Sequence, residues 1–184
     1  GPPAIWSQQP IGYNCGAVSR HSVAQMGGIV YWMGRRNFFA LAGSAPAVMP
    51  CSVWDAVYQN LDTDNLANCW TETVTSANEC WWFYPSSSSP DGQCDSYAKV
   101  NVLDGAWDYG SLPRSAGIDE SVLGNPLMAS PTGVLYQHET GLDADGQALI
   151  PVMVTGFFFL SEGQEFVFVD KFFPDFKFAT YDGS

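Results

Sequence analysis

One run of residues, Glu79-Cys80-Trp81-Trp82-Phe83-Tyr84, limits what this chain can fold into more than any other. Aromatic side chains this dense suit a strand, where flat rings pack against cross-strand neighbours on a pleated surface. Pro85 stops the run, and residues 86–92 (four serines, then Pro90-Asp91-Gly92) follow as an exposed polar loop. The chain resumes at Tyr97-Ala98-Lys99-Val100-Asn101-Val102. There Ala98, Val100 and Val102 share one face, and Lys99 and Asn101 share the other. Asp104-Gly105 signals a tight type I′ turn, which needs φ > 0 at both central positions. Ala106-Trp107-Asp108-Tyr109-Gly110 then returns. Residues 78–110 are thus expected to form three antiparallel strands, with a wide loop at one end and a tight turn at the other.

The rest of the chain reads in the same way. With 184 residues, 46 % of them hydrophobic, it is long enough for one domain with a sizeable core. Aromatics at 15 %, with Gly 18 and Pro 12, point to many short strands and turns. Residues 1–20 form an irregular opening segment, and residues 21–184 form a region of β-blades. Residues 21–26 read as a strand, Gly27-Gly28 as a two-residue turn, and Ile29-Val30-Tyr31-Trp32-Met33 as a buried strand. Gly34-Arg35-Arg36-Asn37 turns the chain, Phe38-Phe39-Ala40-Leu41 returns it, and residues 46–50 lead away from this sheet.

One helix is expected at about residues 52–62. Ser52 and Asp55 fit a capping box, and Val53, Trp54, Val57, Tyr58 and Leu61 form an apolar stripe at helical spacing. Residues 63–67 add a short turn, and residues 112–126 read as loop. Residues 127–139 form a hairpin about Pro131-Thr132-Gly133. Further strands are expected at residues 152–154, 157–160, 165–169 and 172–178.

Trp32, Trp82 and Tyr136 stand at like positions in successive units, about 50 residues apart, the size class of kelch-type propeller blades. The fold class expected is therefore all-β, mainly antiparallel, with one inserted α-helix and β-propeller-like blades. About three units are present where closure needs at least about four. The chain is then expected to be part of a larger propeller, or else an open sheet sandwich. Gly1 in place of Met leads to the same expectation of a processed or partial chain. Gly1-Pro2-Pro3-Ala4 does not read as a signal peptide, and the apolar runs near residues 157–160 are too short to span a bilayer.

Charge excludes one class of function. The net charge is −12 with Lys plus Arg only 7, so no basic stripe is present to neutralise phosphates for sequence reading. An acidic surface keeps the chain soluble and suits a wall past which DNA slides. Cys15, Cys51, Cys69, Cys80 and Cys94 contain no C-x-x-C spacing, which argues against zinc. They are read as reduced and mostly buried, with a Cys69–Cys80 or Cys80–Cys94 bridge as the alternative.

Each candidate site has a plain structural reading. His21 and His138 lie in different sheets, and neither has a partner spaced for a metal. Asp143-Ala144-Asp145-Gly146 begins like a calcium loop but lacks the later ligands, and reads as an exposed turn. Glu79, Asp104 and Asp108 could form a glycosidase acid/base pair, yet Asp104 is explained by its turn and the other two by solvent faces. Trp81 and Trp82 point to opposite sides of a strand, so at least one is core and the other is free to meet a ligand or subunit. Arg35-Arg36 is an isolated basic spot in a turn. The sequence contains no Gly-rich phosphate loop, no Gly-x-Ser-x-Gly and no Cys/His nucleophile pair. No catalytic, cofactor-binding or metal-binding residue is assigned.

Several segments in order resemble a known family. They are His21-Ser22-Val23, Gly28-Ile29-Val30-Tyr31-Trp32-Met33-Gly34, residues 41–51, Trp81-Trp82-Phe83-Tyr84-Pro85-Ser86, residues 97–110 and Tyr136-Gln137-His138-Glu139-Thr140-Gly141. Their order, from about residue 14 to 178, is similar to the tail nozzle, or packaged-DNA stabilisation, proteins of short-tailed bacteriophages. The resemblance implies a non-enzymatic, propeller-containing virion subunit assembled in the host cytoplasm, with no cofactor and no small-molecule substrate. It implies a ring, typically six-fold, beneath the portal and adaptor. Such a ring extends the DNA channel, retains packaged DNA, passes it at ejection and contacts fibres or spikes. Family members are several times longer, which implies a C-terminal-region fragment. The competing expectation, from the tryptophans and acidic charge, is a carbohydrate-binding or glycan-cleaving β protein. That reading calls for exposed aromatics in a concave pocket with converging carboxylates and amides.

Overall fold

A computed structural model describes residues 9–119, 124–141 and 143–148, together with Lys171. The chain divides into two units, residues 1–141 and 142–184. The expected strands at residues 152–178 lie outside the described residues.

The first unit is built from antiparallel meanders, and the fold is mainly antiparallel β with one short helix. The first sheet runs β1 (Val23–Met26), β2 (Ile29–Met33), β3 (Phe38–Leu41) and β4 (Ala47–Val48) in chain order. Gly27 and Gly28, at φ 58° and 80°, make the two-residue turn that closes the Met26–Ile29 pair. Residues 46–50, read as leading away, instead add β4 to the edge through Phe39–Val48 and Ala40–Ala47. The opening segment is tied to this sheet, since Val18 N donates to the Met33 carbonyl at 2.9 Å.

The second sheet runs β5 (Trp70–Val74), β6 (Glu79–Tyr84), β7 (Ser96–Asn101) and β8 (Trp107–Ser111), again in chain order. The three strands expected within residues 78–110 are all present, and β5 is added in front of them. The turn before β8 differs from expectation. Asn101 N donates to the Ala106 carbonyl, and only Gly105 has positive φ, so four residues form the loop rather than two. Side chains set this longer path: Asn101 Oδ1 accepts from Leu103 N, and Asp104 Oδ1 accepts from Ala106 N.

The third sheet runs β9 (Ala116–Ile118), β10 (Leu127–Ala129) and β11 (Leu135–Gln137). Because β9 occupies part of the stretch read as loop, Tyr136 falls in the third strand of its meander. Trp32 and Trp82 each fall in the second strand, where Met128 is the counterpart in this sheet. The 50-residue correspondence therefore holds for the first two sheets and shifts by one strand in the third.

The helix α1 spans Trp54–Tyr58, a single turn rather than residues 52–62. Val53 is its N-cap and no side chain caps it, so the Ser52–Asp55 capping box does not form. Tertiary contacts hold this turn, as short helices require. Val57 is fully buried, Tyr58 Oη donates to the Gly34 carbonyl at 3.1 Å, and Trp54 Nε1 donates to the Arg36 carbonyl at 2.6 Å. A 3-10 turn at Leu66–Asn68 stands where a further short turn was expected.

Two clusters join the sheets. Tyr31, Met33 and Phe38 of the first sheet meet Cys80, Trp82, Tyr84, Ala98 and Val100 of the second, with Val57 and Leu61 beside them. Trp70, Val74, Trp81 and Phe83 of the second sheet meet Met128 of the third. The first strands neighbour one another, β1 packing against β5 and β5 against β9, with a parallel bridge between His21 and Trp70.

In the second unit, β12 (Asp143–Ala144) and β13 (Gln147–Ala148) form a tight hairpin. Asp145 and Gly146 both have positive φ, which is type I′ geometry.

Candidate functional site

Strand pairing decides which of the sequence candidates meet. Glu79 and Asp108 come to the same face of the second sheet because Glu79 pairs with Asn101 and Lys99 with Asp108. Lys99 Nζ sits between them, 3.1 Å from Glu79 Oε1 and 4.0 Å from Asp108 Oδ2, and lies 4.5 Å from the Trp81 ring centre. Trp81 Nε1 donates to Glu79 Oε2 at 2.8 Å, and Tyr97 Oη donates to Asp108 at 3.2 Å. Glu79 is thus a rim acceptor bound by a lysine and an indole. Asp104 lies apart in its loop, and the three acids do not converge.

The histidines remain in separate places, and each accepts from an arginine. Arg20 Nε donates to His21 Nε2 at 2.8 Å, and Arg114 Nε donates to His138 Nε2 at 3.0 Å. Among the described residues, no three His, Cys, Asp or Glu side chains gather as a metal site. Asp143 and Asp145 belong to the hairpin, where Gly146 N donates to Asp143 Oδ1. All five cysteines are free; Cys69, Cys80 and Cys94 are buried. Burial pushes the Cys69 and Cys80 thiols up to about 12 and raises Cys94 as well, so these thiols stay protonated and inert. Trp81 and Trp82 point to opposite faces and both are buried.

Arg35 and Arg36 line a cavity of about 520 Å³ with Asn14 and Asn37 beside the β2–β3 turn, and two further concavities lie elsewhere. The larger, about 1020 Å³, lies where the three first strands come together. Arg20, His21, Asn68, Thr71, Gln93 and Trp70 are on its wall, and no carboxylate is. Thr71 Oγ1 is sealed from solvent there without a hydrogen-bond partner. Trp70 offers little ring area, being 8 % exposed, and its Nε1 donates to the Arg114 carbonyl at 3.0 Å.

The smaller concavity, about 270 Å³, lies beside Arg114 and Tyr136. Arg114 Nη1 donates to the Pro113 carbonyl at 2.8 Å, and its guanidinium stands 4.3 Å from the Tyr136 ring centre. Burial, and then the neighbouring guanidinium, push His138 down to about 4, so it is a neutral acceptor at pH 7.

A further titratable group lies between the second and third sheets. Glu72 of β5 is pushed up to about 7, chiefly by burial, with Asp119 adding to the rise. Gly117 permits this burial, since a Cβ there would stand 2.6 Å from Glu72 Oε2 and 3.2 Å from the Trp70 ring. Sequence reading missed Glu72 and Arg114. The alternation of Trp70, Glu72 and Val74 was a usable signal for the first, and nothing local marks the second.

No protein-family model matches the sequence, and no curated protein is significantly similar to it.

Proposed function

We propose that this chain is a structural subunit of β-propeller type, part of the tail nozzle of a short-tailed bacteriophage. In this reading it assembles as a ring, typically of six copies, below the portal and adaptor. It extends the DNA channel, retains packaged DNA until ejection and contacts fibres or spikes. The observation that carries the reading is the arrangement of three meanders joined through their faces, with β1, β5 and β9 side by side. A propeller repeats such units radially, in rings of roughly four to eight blades, so the reading requires blades beyond the three sheets described. The ordered segments that resemble the nozzle family supply the specific assignment, and the net charge of −12 suits a surface that DNA passes without sticking.

The large groove favours a second reading, a carbohydrate-binding β protein, because Asn68, Gln93 and Thr71 gather there with Trp70. Against it, four tryptophans (Trp32, Trp70, Trp81 and Trp82) are less than one-tenth exposed and serve the sheets rather than an open platform. Native mass spectrometry with imaging of the purified chain separates the two readings. A ring of several copies is expected, whereas a stable monomer with saturable binding on a glycan array would overturn the nozzle reading.

A further inference from the structure

The cavity beside Arg114 is lined by groups of both charges. Arg114 is 8 % exposed, and among the described residues no carboxylate pairs with it. A buried cation is costly unless an anion meets it. Of the five N–H donors a guanidinium carries, Nε serves His138 and one on Nη1 serves the Pro113 carbonyl. Both acceptors are neutral, as is the Tyr136 ring beneath, so none of these three contacts brings a negative charge to the guanidinium.

Negative charge does line the same cavity, on Asp91 and Asp95, alongside Ser130 and Thr132. Asp95 is committed to Ser86, accepting from its backbone N–H at 2.8 Å and its hydroxyl at 2.7 Å. Asp91 uses Oδ1 alone, accepting from Gln93 N and the Ser89 hydroxyl. A simple anion entering here would meet Arg114 but be opposed by two carboxylates. A simple cation would meet the reverse.

We propose that this pocket binds a small zwitterion of the α-amino-acid class, its carboxylate on the remaining donors of Arg114 and its ammonium towards Asp91. Charge-assisted pairing at both ends makes the ligand complementary to a wall that carries both signs. The Ser130 and Thr132 hydroxyls, bonded to each other at 2.7 Å, line the same wall as neutral groups. The inference is independent of the ring proposed above.

The test is calorimetric titration of the purified chain at pH 7 with L-serine, acetate and ethanolamine in parallel. L-Serine is expected to bind saturably at one site, with acetate and ethanolamine each weaker by about tenfold or more. Arg114→Gln and Asp91→Asn should each weaken L-serine by a similar factor. Arg114 also holds His138, so should Arg114→Gln fail to fold, Asp91→Asn in its exposed loop decides the matter. No saturable L-serine binding up to about 10 mM would overturn the proposal. So would acetate binding as tightly as L-serine, or an unchanged affinity in Asp91→Asn.

Discussion

The two faces of the second sheet are packed by different chemistry, although one strand, β6, feeds both. Cys80, Trp82 and Tyr84 project into a cluster of, among the described residues, twelve buried side chains shared with the first sheet and α1. Trp81 and Phe83 project into a cluster of six described residues, which the third sheet joins through Met128. The first cluster is dense with rings: Phe38 stands 4.8 Å from Trp82 and 4.7 Å from Trp107, centre to centre. The second is bordered by ionisable groups, with Glu72 on the strand next to Trp81 and the Glu79–Lys99 pair over the Trp81 ring. Hydrophobic burial is non-directional and follows the area removed from water, so the first interface should set the stability of the unit. The second should set its response to pH and salt.

Replacing adjacent tryptophans on β6 tests this most strongly. Trp82 is fully buried, and Trp82→Ala should cost about 3–5 kcal/mol, the range for a large ring removed from a packed core. Trp81 is 7 % exposed and lies under the Lys99 rim, so Trp81→Ala should cost about 1–2 kcal/mol less. Urea midpoints compared at constant m-value measure the difference. Equal costs would break the comparison. Trp82→Phe sharpens it, because the Trp82 indole N–H is buried without a partner and phenylalanine removes that unpaired donor.

How much of this was legible follows from what each strand has to offer. The β6 run and the β7 alternation carry their own signal, because side chains two apart share a face. β5 escaped because Glu72, a carboxyl between Trp70 and Val74, interrupts an otherwise apolar face, and its burial depends on Gly117 from a distant strand. β9 is three residues with a glycine at its centre, too short for any period to show. The Asp-Gly dipeptide is equally instructive. It makes a type I′ turn at Asp145-Gly146, whereas at Asp104-Gly105 side-chain bonds from Asn101 and Asp104 select a longer loop. The Arg114–His138–Tyr136 cluster had no local signal at all, since pairing in the third sheet creates it.

Titration should separate the third-sheet side from the first interface, because Glu72 at the second interface and His138, beside Arg114 in the third-sheet cluster, act in opposite directions. Glu72 is raised from 4.5 to about 7, so between those values the folded state holds the extra proton and stability falls as pH rises. His138 is lowered from 6.5 to about 4, so there the unfolded state holds the extra proton and stability rises with pH. In the parent chain the two slopes partly cancel across their shared window. Glu72→Gln should expose the His138 slope, with stability climbing from pH 4 to 6.5. His138→Gln should expose the Glu72 slope, with stability declining from pH 4.5 to 7. Urea midpoints taken at four pH values read both slopes. Variants that keep the parental profile would show that neither group is coupled to folding, and the second interface would lose its claim to pH sensitivity.

The smallest effect is expected at the rim of that same face. Lys99 and Glu79 are 22 % and 18 % exposed at their side chains, so water still screens their 3.1 Å contact. Lys99→Met keeps the aliphatic stem over Trp81 and removes only the charge, with Glu79 retaining the Trp81 indole as donor. The loss should be about 1 kcal/mol or less, and it should shrink in about 1 M salt, where the Debye length is about 3 Å. A loss above about 2 kcal/mol that persists in salt would mean that the pair behaves as buried charge. The second interface would then be held by its ions as firmly as the first is held by its rings, and the contrast between the two faces of β6 would fail at its weakest point.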